Sequence, residues 1–146
     1  MPDMQNTCAI KVGRLLEIRR SLGHRTDEDV SAFFDSITAE LAKLPPRVKV
    51  VTVADWRACP LLSDEVSESL LAKMTGINPL MELSAAIASA DSPIQVLQFQ
   101  RLIRETHDAH RKLFFNPLEL MNWLRSALNQ EEFQRLGEFL AEYKAH

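Results

Sequence analysis

Val48-Lys49-Val50-Val51-Thr52-Val53-Ala54, running into Asp55-Trp56-Arg57, is the stretch whose reading decides the fold. Its β-branched residues show too little apolar/polar alternation for a half-exposed strand, so they predict a strand buried on both faces of a sheet. Such a strand needs helices packed over it, which points to an α/β chain. It ends in Asp55, Trp56 and Arg57, and in open α/β sheets ligands gather at the carboxyl ends of the strands.

Working outward, Cys8 to Val12, a turn at Gly13-Arg14 and Leu15 to Arg20 read as two strands joined by a tight hairpin. Thr26 caps a helix with an acidic first turn (Asp27, Glu28, Asp29), where the helix dipole favours negative charge. Its apolar stripe runs Val30, Phe33, Phe34, Ile37, Leu41, Leu44 and stops at Pro45-Pro46. Beyond the central strand, Ser63 caps a second helix through Val66, Leu70, Leu71 and Met74 to Gly76. Residues 83–88 read as another buried strand, Ser92-Pro93 opens a third helix to about Thr106, and residues 112–115 form a short strand. Asn116 with Glu119 opens a fourth helix through Leu128, and Asn129 with Glu132 a last one carrying Phe133, Leu136, Leu140 and Tyr143.

The expected order is β-β-α-β-α-β-α-β-α-α: one α/β sandwich with a mixed, mostly parallel sheet of about five strands. The 146 residues make a single domain, with 8–128 as its core and 129–146 as an added C-terminal helix. Lys and Arg number 17 against 20 Asp and Glu, a net charge of −3, which argues against a phosphate-backbone binder and so against nucleic acid. Cys8 and Cys59 stand far apart with no Cys-x-x-Cys companion, so they predict reduced thiols in a cytoplasmic protein. No leader is expected in residues 1–7, and no stretch reaches the length of a membrane span. Four glycines, Gly13, Gly23, Gly76 and Gly137, cannot assemble a Walker or dinucleotide loop, so no nucleotide cofactor is expected.

The element order, with the strand ending at Asp55 and feeding a helix capped at Ser63, resembles the STAS-like group that includes the sporulation anti-anti-sigma factors. The likeness is topological and covers roughly residues 8–128. It implies an α/β sandwich acting in bacterial-type signalling by binding another protein. In signalling members a serine in an Asp-Ser-Ser-Gly type segment at this helix start is phosphorylated. Ser63 lands near that place, within Cys59-Pro60-Leu61-Leu62-Ser63-Asp64-Glu65.

Several residues could carry chemistry. Asp55 could orient Arg57 to hold an anion beside the free amides of the Ser63 helix start; alternatively, Asp55 caps the loop backbone and Trp56 fills a gap against the last helices. Arg101 and Arg104 lie three apart on the third helix and Arg111 opens the next strand, so three guanidiniums could converge on a phosphate or carboxylate, or pair with Glu105 and Asp108 as a solvated network. His107 and His110 share the spacing of a two-imidazole metal site if the helix runs that far, but no third ligand is evident and no metal is expected. Cys59 is a candidate nucleophile near Arg57, although Pro60 removes a backbone donor beside its sulfur. The reading that follows is a non-enzymatic, cytoplasmic protein-interaction domain whose contact surface is the loop 55–63 and the adjoining helix. A small-molecule or lipid-like ligand domain with an Arg-lined anion site is the alternative. The last helix serves as a core lid or as the seam of a homodimer.

Overall fold

The computed structural model describes residues 6–21 and 24–143. Residues 1–5, on which the expectation of no leader mostly falls, lie outside the described residues, as do Gly23 and the last three positions of the domain. Strands β1 (Asn6–Val12) and β2 (Leu15–Arg20) form an antiparallel hairpin. Gly13 in its turn has φ of 56°, a left-handed conformation that costs a residue without a Cβ nothing. Helix α1 (Asp27–Leu41), strand β3 (Val50–Asp55), helix α2 (Asp64–Gly76), strand β4 (Met81–Ile87), helix α3 (Pro93–Glu105) and strand β5 (Arg111–Phe114) follow. Helices α4 (Pro117–Leu124) and α5 (Gln130–Ala141) close the chain.

The five strands lie in one sheet in chain order, β1-β2-β3-β4-β5, with β2 through β5 mutually parallel. The expected α/β class, with a mixed and mostly parallel five-stranded sheet, is what the chain adopts. Because every parallel strand is added on the same side of its predecessor, three right-handed crossovers place α1, α2 and α3 on one face. Val50 and Ala54 of β3 join Val30, Phe34, Ile37, Val66, Leu70, Phe99 and Leu102 in the core on that face. Val51 and Val53 point the other way, into a second core with Leu120, Leu124, Leu136, Phe139 and Leu140 of α4 and α5. Strand alternation thus gives β3 two apolar faces.

Several boundaries differ from expectation for local reasons. Helix α1 stops at Leu41, four residues before Pro45, which has no N–H to give the Leu41 carbonyl and whose ring would clash with it. Val48 stays exposed and outside β3 because its N–H closes a turn onto the Pro45 carbonyl at 3.3 Å. Helix α4 ends at Leu124 in a single tight turn, residues 125–127. The last helix is a lid: Leu136, Phe139 and Leu140 are buried against the sheet.

One contact ties that lid to the hairpin. Buried Glu132 accepts the Asn129 N–H at 2.8 Å, completing the cap of α5, and its other oxygen accepts the Arg14 N–H at 2.7 Å. A Cβ on Gly13 would run into the Glu132 carboxylate as well as strain the turn. Gly13→Ala is therefore expected to lower unfolding stability by about 2 kcal/mol or more. Glu132→Ala, which orphans the Arg14 and Asn129 amides, is expected to cost about 2–3 kcal/mol, both read from urea denaturation at unchanged m-value.

Candidate functional site

The carboxyl ends of β2, β3 and β4 bring together Arg19, Arg20, Asp55 and the loop 56–62. Asp55, fully buried at the end of β3, points to the α5 face and is gripped by Arg57 in a two-pronged fork: Nε donates to Oδ1 at 3.0 Å and Nη2 to Oδ2 at 2.9 Å. The Arg57 amide also donates to Oδ1 at 3.0 Å. The remaining capacity of Arg57 goes to the end of α5: Nη2 donates to the Leu140 carbonyl at 2.9 Å, and the guanidinium lies 4.2 Å from the Tyr143 ring centroid. Arg19, one strand over, donates to the Phe139 carbonyl at 3.0 Å and stands 3.9 Å from Asp55. Asp55 does cap the loop backbone, but its partnership with Arg57 serves as a clasp on the last helix.

Trp56 turns to the opposite face, correcting the expectation that it packs against the last helices. It is buried against Phe99 of α3, with ring centroids 5.1 Å apart, because consecutive positions at a strand end face opposite sides. The loop beyond it is held by two glutamines of α3. Gln98 accepts from the Leu62 amide at 3.0 Å and donates back to the Leu62 carbonyl at 2.7 Å, while Gln95 donates to the Cys59 carbonyl at 2.8 Å. Ser63 caps α2, its hydroxyl accepting the Val66 N–H at 3.2 Å. Cys59 is buried, and burial pushes its thiol up to about 11, which leaves almost no thiolate at neutral pH.

The three expected arginines do not converge. Arg101 is 61% exposed and pairs with Glu105 one turn on at 3.1 Å, over the cleft between α2 and α3. Arg104 is also exposed. Arg111 instead points beneath the helices, donating to Asn78 Oδ1 at 2.7 Å, the Met74 carbonyl at 2.8 Å and Ser84 Oγ at 3.3 Å. The divergence arises because α3 ends at Glu105 and the chain reverses through His107 at φ of 52° before β5 begins. That reversal also removes the helix that would have aligned His107 with His110, and among the described residues no cluster of three metal-ligating side chains occurs.

Two features escaped the sequence reading. Arg20, at the last position of β2, is buried among Phe33, Phe34 and Trp56, with its Nη1 2.9 Å from His24 Nε2. A run of Ile18-Arg19-Arg20 at a strand end was the available signal, but it does not say which arginine faces inward. The second is an exposed apolar corner: Leu61, Ile94 and Leu97 are 53%, 66% and 67% exposed beside the pinned loop. Ile94, Leu97, Arg101 and Glu105 follow one stripe of α3 at helical spacing. This stripe borders a cleft of about 200 Å³ lined by Asp64, Glu68 and Glu105 against Arg101 alone.

Comparison with known protein families, with curated proteins and with solved structures found no match to this chain. Among the described residues no helix is long and apolar enough to cross a membrane.

Removing one partner of a buried, hydrogen-bonded ion pair leaves the other charge uncompensated. Asp55→Ala is thus expected to cost about 3–5 kcal/mol in chemical denaturation and to speed amide exchange in the last turn of α5, while Ser63→Gly, losing only a cap, costs a few tenths. His24 accepts from a buried arginine, so it is held neutral; burial, then the Arg20 charge, lowers it to about 4 from 6.5. Its folded form binds a proton less readily than its unfolded form, so stability is lost as pH falls from about 6.5 towards 4. Urea midpoints across that window are expected to fall in the wild type and to flatten in His24→Gln.

Proposed function

We propose that this chain is a non-catalytic, STAS-like interaction domain that binds a partner protein over the corner formed by Leu61, Ile94 and Leu97. The observation that carries the reading is that these three aliphatic side chains are left in solvent, Leu61 on a loop pinned at Cys59 and Leu62 and Ile94 and Leu97 on the helix α3 that pins it. Exposed aliphatics on a rigid platform lose little conformational entropy on docking, which is the condition for a productive contact. The adjoining α2–α3 cleft carries Asp64, Glu68 and Glu105 against Arg101, so the complementary partner is a segment bearing aliphatic side chains flanked by lysine or arginine. Two observations weigh against the enzyme alternative built on Cys59 and Arg57. The thiol is buried and protonated, and the guanidinium is spent on Asp55, Leu140 and Tyr143.

The test is affinity capture from the native cell extract, with wild type beside Ile94→Asp/Leu97→Asp and beside Asp64→Lys/Glu68→Lys. All four positions are exposed, so the fold is preserved, which circular dichroism checks. One partner held by wild type, weakened about 100-fold or more by the apolar double variant and about 10-fold by the charge reversal, supports the reading. A captured second copy of the chain, lost in the same variants, makes the partner a homodimer mate. An identical retained set for all three proteins overturns it.

A further inference from the structure

Between the α1–α3 face and the sheet lies a small internal cavity of about 20 Å³, lined by Arg20, Thr52, Trp56, Ser84 and Arg111 among apolar side chains. Its walls hold two guanidiniums, yet among the described residues no carboxylate lies within ion-pairing distance of either, whereas Arg14, Arg19, Arg57, Arg101 and Arg135 each have one. The hydrogen-bonding partners of Arg111 are neutral acceptors: an amide, a hydroxyl, a carbonyl and the Met81 sulfur. Arg20 is 3% exposed, and among the described residues its Nε, with a buried N–H, has no partner; neither does Nε1 of Trp56, also 3% exposed. Buried donors are nearly always satisfied, and buried charges are paired, so among the described residues two N–H groups without acceptors, beside two cations without a carboxylate at ion-pairing distance, describe an unfilled acceptor position of negative charge.

We propose that this cavity is a binding site for one small monovalent anion of halide size, held by Arg20 Nε and Trp56 Nε1 and neutralised jointly by Arg20 and Arg111. The volume matches a single water-sized occupant and excludes a phosphate or an organic carboxylate. A water could take the same donors, but it would leave the charge uncompensated. Burial lowers both arginines to about 10; the Arg111 charge adds to the depression at Arg20, while Asp108, beyond ion-pairing distance, offsets only part of it at Arg111, and a bound anion relieves the remaining field. Cys59 supplies no countercharge, because its buried thiol stays protonated at neutral pH. The site needs no partner protein and stands independently of the interaction reading.

The experiment is a crystal soaked in sodium bromide, with anomalous data collected at the bromine edge, beside thermal melts in sodium chloride and sodium gluconate at equal ionic strength. The expected result is a bromide peak within hydrogen-bonding reach of Arg20 Nε and Trp56 Nε1, and a melting temperature about 5 °C higher in 100 mM chloride than in gluconate. Trp56→Phe, which removes one donor and keeps the ring, is expected to lose most of the chloride increment. Arg20→Met, an apolar replacement of similar length, is expected to be insensitive to chloride; should it fail to fold, Trp56→Phe and the bromide map still decide. Bromide confined to the surface, or an ordered water in the cavity with equal melting in chloride and gluconate, overturns the proposal.

Discussion

Two carboxylates buried in the sheet, Glu17 of β2 and Asp55 of β3, hold the last helix where it closes the molecule. Arg135 of α5 meets Glu17 through Nε and Nη2 at 2.8 and 2.7 Å, and this bond, the largest influence on it, raises the arginine above its ordinary range. Asp55 acts at one remove, since it orients Arg57, whose free N–H reaches the Leu140 carbonyl. Arg19 reaches the preceding carbonyl, Phe139, and stacks on its ring with 4.4 Å to the centroid. Helix C-terminal carbonyls are short of internal partners, so donors fixed to the sheet take the Leu140 carbonyl, join the Glu142 N–H on that of Phe139, and complement the dipole at once. Without these charges α5 would rest on its apolar stripe alone, and Leu15, Val51, Val53, Ala85 and Ile87 would share a looser cover.

The two faces of the sheet therefore treat charge in opposite ways. Beneath α5, Glu17 and Asp55 each have an arginine side chain and Glu132 has two backbone N–H groups, so charge there is spent on architecture. Beneath α1–α3, Arg20 and Arg111 carry charge with no carboxylate at ion-pairing distance among the described residues, and aromatic rings and neutral acceptors surround them. A guanidinium stacked on Phe33 and Trp56 gains cation–π attraction, but that does not cancel its desolvation. The loop 56–62 joins the two regimes, because Arg57 belongs to one face and Trp56 to the other. Its far end, clasped by Gln95 and Gln98, presents Leu61 to solvent beside Ile94 and Leu97.

Much of this was legible in one dimension. The unalternating Val50–Asp55 strand announced a sheet covered on both sides, and the caps at Thr26, Ser63, Ser92, Asn116 and Asn129 each accept the backbone N–H that their side chains are suited to. The site was legible only where partners are neighbours in sequence. Asp55 and Arg57 lie two apart at a strand end, and a two-residue separation there lets one side chain turn back on the other. Arg101 and Arg111, by contrast, are close only along the chain, and the reversal at His107 sends them to an exposed ridge and to a buried wall. The face that Trp56 takes is not legible in the sequence, because nothing in its neighbourhood says on which side a helix will lie.

By itself, the sequence determined the elements, their order and the class of fold, because period, capping and proline act over a few residues and do not depend on what packs above them. Tertiary structure alone decided which side each strand-end residue faces and which charges find partners. It joined Glu17 to Arg135 across 118 positions, and among the described residues it left Arg20 beside Trp56 with a donor unspent. The physical reason is that pairing energy depends on distance and burial in space, and both are set only when the handed crossovers have placed three helices on one face and two on the other.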